Sequence, residues 1–168
     1  KSMIPLFLAV ALCYAGEQED FVSKATHEMK RRCHDIPVAR AELLANEAWA
    51  SSVAANTQHW YRYPIDPRWV ITRGCIESNW RNEVADHMKG TRALAPMQHW
   101  SVGYFHIKCI PWIIDAEMLE VPYHYPIRQY ILDHPKQQVW VANHFQARWL
   151  NHYKGDVTSM VNVYFYGG

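Results

Sequence analysis

This chain lacks most of the features by which a sequence's chemistry is usually recognised. Its four cysteines, Cys13, Cys33, Cys75 and Cys109, include no CxxC pair, which argues against zinc-ribbon and thioredoxin-type chemistry. Disulfides remain open to an exported chain, although spacing alone pairs none of the four. His106 and Cys109 lie one helical turn apart, but no second pair at ligand spacing accompanies them, so no metal is expected. An excess of charge is missing too: 17 basic residues face 16 acidic ones, for a net charge of +1, which gives no reason to expect nucleic acid as a partner. The N-terminal apolar run, Met3 to Leu12, is too short to span a bilayer comfortably as a helix. No period-two alternation is long enough to argue for a sheet, and no internal repeat is visible.

What is present suits one well-buried domain of 168 residues, 49 % of them hydrophobic. Aromatics make up 14 %, with 8 Trp and 10 Tyr among them; such side chains suit cores and also sugar-binding clefts. The N-terminus reads KSMIPLFLAVALCYAGEQED. A basic start, a short apolar core and small residues describe a secretory signal, with cleavage expected after Ala15. The bulky Leu12 before Cys13 argues against a lipoprotein site. If residues 1–15 are retained, they need a partner chain or a membrane in which to bury themselves.

Helical signals follow in order. Asp20 to Cys33 is charged, with Phe21, Ala25 and Met29 along one face. Asp35 reads as an N-cap with Pro37 just inside a helix that runs to about Asn56 and carries Val38, Leu43, Leu44, Trp49 and Val53. HWYRYPIDP ends it, and Asp66-Pro67 repeats the cap-then-proline signature for a helix to about Trp80. Residues 81–96 are expected to be loop, with room for a small strand pair between Glu83 and Ala95. Residues 111–135 hold four of the nine prolines and read as short helices and turns. The helical period returns from Pro135 to His152 through Val139, Ala142, Phe145 and Trp149. Gly155 reads as a helix stop, and a last helix is expected from about Asp156. The expected fold is mainly α.

Within RGCIESNWRN, residues 73–82, a Glu sits in an apolar helix. Residues three, four and seven apart share a helical face, so Glu77 lies beside Val70, Arg73 and Gly74. Gly74 costs about 1 kcal/mol in a helix interior compared with Ala, which close approach by a backbone or a ligand would justify. Desolvation beside Val70 would raise the carboxyl pKa, whereas pairing with Arg73 would lower it. A carboxyl with a raised pKa can act as a general acid. The bland alternative is a surface Glu77 paired with Arg73 four residues away, worth about 0.2–0.5 kcal/mol.

Four short blocks then occur in a recognisable order. Glu77-Ser78 is followed by a polar loop and Ala95-Pro96-Met97-Gln98. HPKQQVWVANHFQARWLNHYKGD, residues 134–156, comes next, and Tyr164 and Gly167 close the chain. The arrangement resembles the soluble lytic transglycosylase and goose-type lysozyme-like family of peptidoglycan-cleaving enzymes over residues 66–168. That family has a helix ending in Glu-Ser, a Gly-Leu-Met-Gln or Gly-Pro-Met-Gln segment, a helix opening on Asp-Pro-x-Gln-Asn, a Gly-Gly-Asp turn and a closing Ala-Tyr-Asn-Ala-Gly. Pro135, Gln137, Phe145, Leu150, Tyr153, Gly155 and Asp156 fall on matching or similar residues. The chain departs from the pattern in a loop two or three residues longer between Glu77 and Met97. Ala95 stands for a Gly, Gln138 for an Asn and Phe165 for an Asn.

The resemblance implies a lysozyme-like domain at 66–168, preceded by a signal-like or anchoring segment (1–15) and a helical extension (16–65). It implies that Glu77 is a single acid and base cleaving the bond between MurNAc and GlcNAc, with Ser78 beside it orienting Glu77 or bonding substrate. Met97, Gln98 and Tyr164 would line the cleft. The implied substrate is the peptidoglycan glycan strand, with no cofactor, in a periplasmic, exported or virion-associated setting where residues 1–15 meet other chains. Two alternatives remain. One is a hydrolytic lysozyme with Glu83, Asp86 or Asp115 as second carboxylate; the other is a non-catalytic component of a virion or envelope machine.

Overall fold

The computed structural model describes residues 4–32, 36–58, 61–78, 101–105, 107–108 and 127–166, and the side chains at 4–15, 77, 101–102, 107–108, 127–128 and 162–166 are not described. Among the described residues six helices carry the fold: α1 (Ile4–Arg32), α2 (Val38–Thr57), α3 (Pro67–Ser78), α4 (Ile127–Asp133), α5 (Pro135–His152) and α6 (Val157–Tyr166). Two-residue strands β1 (Ser101–Val102) and β2 (Ile107–Lys108) form one antiparallel pair, Ser101 opposite Lys108 and Val102 opposite Ile107. The protein is mainly α. The strand pair described lies after the Glu83–Ala95 stretch where one was expected, and that stretch falls outside the described residues.

Residues 4–15 of the expected apolar segment and the charged segment after it share one helix, since α1 passes through Ala15 and Gly16 without a break. No helix among the described residues is long and apolar enough to cross a membrane. Lys30, Arg31 and Arg32 occupy the last turn of α1, where cations complement the helix dipole. Lys30 Nζ reaches on to the Ile36 carbonyl at 2.7 Å and ties Ile36 back to the helix. Ala25 and Met29 face the core as their spacing predicts, with Phe21 packed against it.

The cap of α2 falls two residues later than expected, at Pro37 in place of Asp35, which lies outside the described residues. Pro37 is extended (φ −62°, ψ 143°) and caps the helix from outside it. Its carbonyl accepts the first helical bonds, from the N–H groups of Arg40 and Ala41 at 3.0 Å. The buried stripe differs as well. Val38 is half exposed, whereas Ala41, Leu44, Ala45, Ala48, Ser51, Ser52 and Ala55 are buried. Small side chains along this stripe let α1 and α5 approach the α2 backbone, and α2 packs against both. Asn143 of α5 donates from its amide to Ser51 and Ser52 of α2, at 3.1 Å for Ser52. Buried polar groups at that seam are thereby bonded to one another.

The proline-rich break holds through a side chain. Asn56 accepts the Ile65 N–H at 2.8 Å and donates to the Ile65 carbonyl at 2.9 Å, folding the chain end of α2 onto the entry to α3. At the other end of the domain, α5 stops where Gly155 takes φ +89° and its N–H bonds Leu150 O at 2.9 Å. With the Lys154 N–H on Asn151 O at 3.2 Å, this six-to-one bond makes a Schellman closure in which Lys154 holds the left-handed position (φ 53°) more often taken by glycine. Asp156 then caps α6, accepting from the N–H groups of Thr158 (2.9 Å) and Ser159 (3.2 Å) and from the Ser159 hydroxyl (2.6 Å). Those bonds hold the Asp156 carboxyl below its ordinary pKa, the Ser159 hydroxyl foremost.

Candidate active site

Helix α3 starts as its sequence predicts. Asp66 accepts the Arg68 N–H at 2.9 Å on its carboxylate and the Trp69 N–H at 3.1 Å on its carbonyl, with Pro67 at the first helical position. The helix packs against α1, α2 and α5. At 100° per residue, Val70, Ile71, Arg73, Gly74 and Ser78 form its buried arc. Arg68, Thr72 and Ile76, the last 59 % exposed, lie on the opposite side. Position 77 falls between the directions of Val70 and Arg73, so its backbone lies on the arc turned to the interior.

Arg73 corrects the bland alternative. A surface ion pair requires an exposed Arg, and Arg73 is only 5 % exposed. Its guanidinium donates to the Phe105 carbonyl at 3.3 Å and lies 5.8 Å from the centroid of the Phe105 ring. A cation over an aromatic face in a desolvated place is an electrostatic contact of real size. Ser78 is buried as well, and its hydroxyl donates to the Tyr104 carbonyl at 2.8 Å. A hydroxyl has one proton, so this bond leaves Ser78 none to offer a substrate. Ser78 thus ties the C-terminal end of α3 to the turn at 103–105 and keeps only its acceptor lone pairs for any further partner.

That turn is held from the other side by Gln138 of α5. The Tyr104 N–H donates to Gln138 Oε1 at 2.8 Å, and Gln138 Nε2 donates to the Ile131 carbonyl of α4 at 2.7 Å. Gly103 takes φ +75° directly beneath this amide, and a Cβ there would sit 2.1 Å from Oε1. Only glycine allows the turn so close to the clamp. Burial pushes the Tyr104 phenol above its ordinary pKa, with Arg40 acting in the opposite sense. One polar network thus joins α3, the 103–105 turn, α5 and α4 around the end of the helix that carries Glu77.

The sequence-derived site residues are distributed as follows. Glu77 lies in α3 and Tyr164 in α6, the side chains of both outside the described residues, while Met97 and Gln98 lie wholly outside them. Ser78 is the one whose side chain is placed. Glu83, Asp86, Asp115, His106 and Cys109 also lie outside the described residues. Among the described residues no group of three or more His, Cys, Asp or Glu is gathered as a metal site would require. Two members of the network escaped the sequence reading. Gln138 was visible only as a departure from an Asn, and the signal that could have found the turn is Gly103 set between apolar neighbours in SVGYF. Compared with protein-family models, with curated proteins and with solved structures, the chain matches none.

Proposed function

We propose that the protein is a peptidoglycan lytic transglycosylase in which Glu77 serves in turn as acid and base. The observation that carries this reading is the register of α3: position 77 lies on the buried arc of a helix packed among three others, at the end where Ser78 and Arg73 hold the 103–105 turn. By helical register Val70 and Arg73 flank position 77; desolvation beside Val70 would favour a protonated carboxyl and the charge of Arg73 an ionised one. Opposed influences of this kind suit a group that must both give and take a proton near the working pH. In the proposed reaction the acid protonates the glycosidic oxygen between MurNAc and GlcNAc. The resulting carboxylate then takes the proton of the sugar's own C6 hydroxyl, which closes a 1,6-anhydro ring and needs no second carboxylate or activated water. Met97, Gln98 and Tyr164 are proposed to line the cleft, and Ser78 to act only by fixing the helix end. The proposed setting is exported, periplasmic or virion-associated, with residues 1–15 available to other chains.

Arg73 also favours a second reading. A buried guanidinium one turn before an acid is a strong partner for a carboxylate, and a Glu77 held in that pair would serve a non-catalytic component of an envelope or virion assembly. Lysis of purified peptidoglycan in a zymogram, wild type against Glu77→Gln, separates the two. The catalytic reading expects lysis by the wild type and a loss of about 10⁴-fold or more in the variant, at or beyond the usual range for a general acid because one group fills both roles. No lysis by the wild type, or activity within a few-fold in the variant, would sink it. Anhydro ends among the products distinguish transglycosylation from hydrolysis, which leaves reducing ends.

A further inference from the structure

The corner where α5 ends presents aromatic rings and cations together. Trp149 and Tyr153 stack at 6.0 Å between centroids, and His152 stands edge-on to both, 5.7 Å from Trp149 and 4.9 Å from Tyr153. The linker before α3 joins them: a Cβ on Gly155 would lie 2.7 Å from the Tyr63 ring, and the Arg62 guanidinium lies 5.7 Å from the centroid of that same ring. Trp149, Tyr153 and Tyr63 are half-buried, whereas Arg62, Arg148, His152 and Lys154 are exposed. Lys154 is the one non-glycine at positive φ (53°) among the described residues, a conformation that a residue with a Cβ rarely adopts. The acids nearby are committed elsewhere. Asp156 caps α6 and Asp66 is paired with Arg68, while no acidic side chain pairs with Arg62 or Lys154 among the described residues.

We infer that this corner is a docking surface for anionic phospholipid headgroups. Half-buried Trp and Tyr rings with polar tips sit well at the level of the headgroups, and exposed Arg and Lys beside them meet lipid phosphates. Nucleic acid fits less well. The rings pack on one another instead of standing apart for bases to stack, and the net charge of the chain is only +1. The inference does not depend on lytic activity.

The test is co-sedimentation with vesicles of phosphatidylcholine alone and of phosphatidylcholine mixed with phosphatidylglycerol, at low and high salt. The variants are Arg62→Gln, Lys154→Asn and the two combined. Both positions are exposed, and Asn tolerates positive φ better than Lys, so the variants keep the fold. Binding is expected only to the anionic vesicles, weakening as salt rises, with a loss of about five-fold for each cation removed and roughly 25-fold for the pair. A double variant that binds like wild type would place any membrane contact elsewhere, α1 included, and overturn the inference. So would no binding to either vesicle, equal binding to both, or retention by tRNA in place of vesicles with the same dependence on Arg62 and Lys154.

Discussion

Replacing Gln138 with Leu keeps the side-chain size and removes both ends of the clamp between α4 and the 103–105 turn. The Tyr104 N–H and the Ile131 carbonyl, bonded to Gln138 at 2.8 and 2.7 Å, then stand without it in a place where Gln138 is 1 % exposed. Each buried backbone group left unsatisfied costs about 1–3 kcal/mol. The Ile131 carbonyl keeps the His134 N–H at 3.3 Å, so it loses one of two bonds, worth about 1 kcal/mol. The change as a whole should therefore cost roughly 2–4 kcal/mol, with a small offset from the added apolar burial. Against a typical total of about 5–15 kcal/mol this is a large fraction, and it corresponds to a fall of about 5–15 °C in Tm for a chain of this size. Gln138→Glu separates hydrogen bonding from packing. Its protonated form can replace both bonds, accepting from Tyr104 N–H and donating to Ile131 O; its ionised form turns a carboxylate on that carbonyl. Burial raises the pKa of the folded form above the unfolded value of about 4.3, so its stability is fully present below that value and is lost as pH rises through the folded pKa. Urea unfolding of wild type and both variants between acid and neutral pH gives the comparison. A Leu variant within half a kcal/mol of wild type, or a Glu variant whose deficit does not grow with pH, would refute the clamp.

Two further expectations follow from local geometry. Gly155→Ala forces a Cβ to within 2.7 Å of the Tyr63 ring at φ +89°, so a loss of about 2 kcal/mol or more is expected in thermal melts, combining left-handed strain with displacement of the ring; an unchanged Tm would contradict the packing. His144 is buried with its Nδ1 2.6 Å from the Tyr61 hydroxyl, and burial, aided by the charge of Arg148, holds its pKa below the ordinary value. The unfolded chain then binds the proton more tightly, so this contribution is present above pH about 6.5 and is lost as pH falls toward the folded pKa. The difference in stability between wild type and His144→Gln should shrink over that range, and a difference constant with pH would exclude the assignment.

The parts of the fold that the sequence made legible are those fixed by neighbours along the chain. Pro67 and Pro135 open helices because a first-turn residue needs no N–H partner, Gly155 closes one because it reaches positive φ freely, and Asp156 starts the next through its own carboxylate. What stayed hidden is fixed across the chain. The burial of Arg73 depends on Phe105, the commitment of Ser78 on Tyr104, and the buried Ala and Ser stripe of α2 on helices packed against it from both sides. A period count ranks Val38 and Trp49 above Ala45 and Ser51, yet close helix approach selects the small residues. The candidate site follows the same division: Glu77 was legible as an acid at a helix end, whereas the network around that end was not.

The Asn143 bond to Ser51 has a consequence for how the chain between them can vary. It joins residues 92 apart, so every residue from the end of α2 to the middle of α5 belongs to one long closed loop. The entropy of closing a flexible loop grows only as the logarithm of its length. Lengthening this one by three residues adds about 0.03 kcal/mol, while shortening the same stretch near a tight turn would be felt at once. The connection from α3 to the 103–105 turn closes within this loop through the Ser78–Tyr104 bond, 26 residues apart, and lengthening it by three residues adds only about 0.1 kcal/mol. Insertions in that connection are thermodynamically cheap, and its length is free to drift while the seam between α2 and α5 keeps its register.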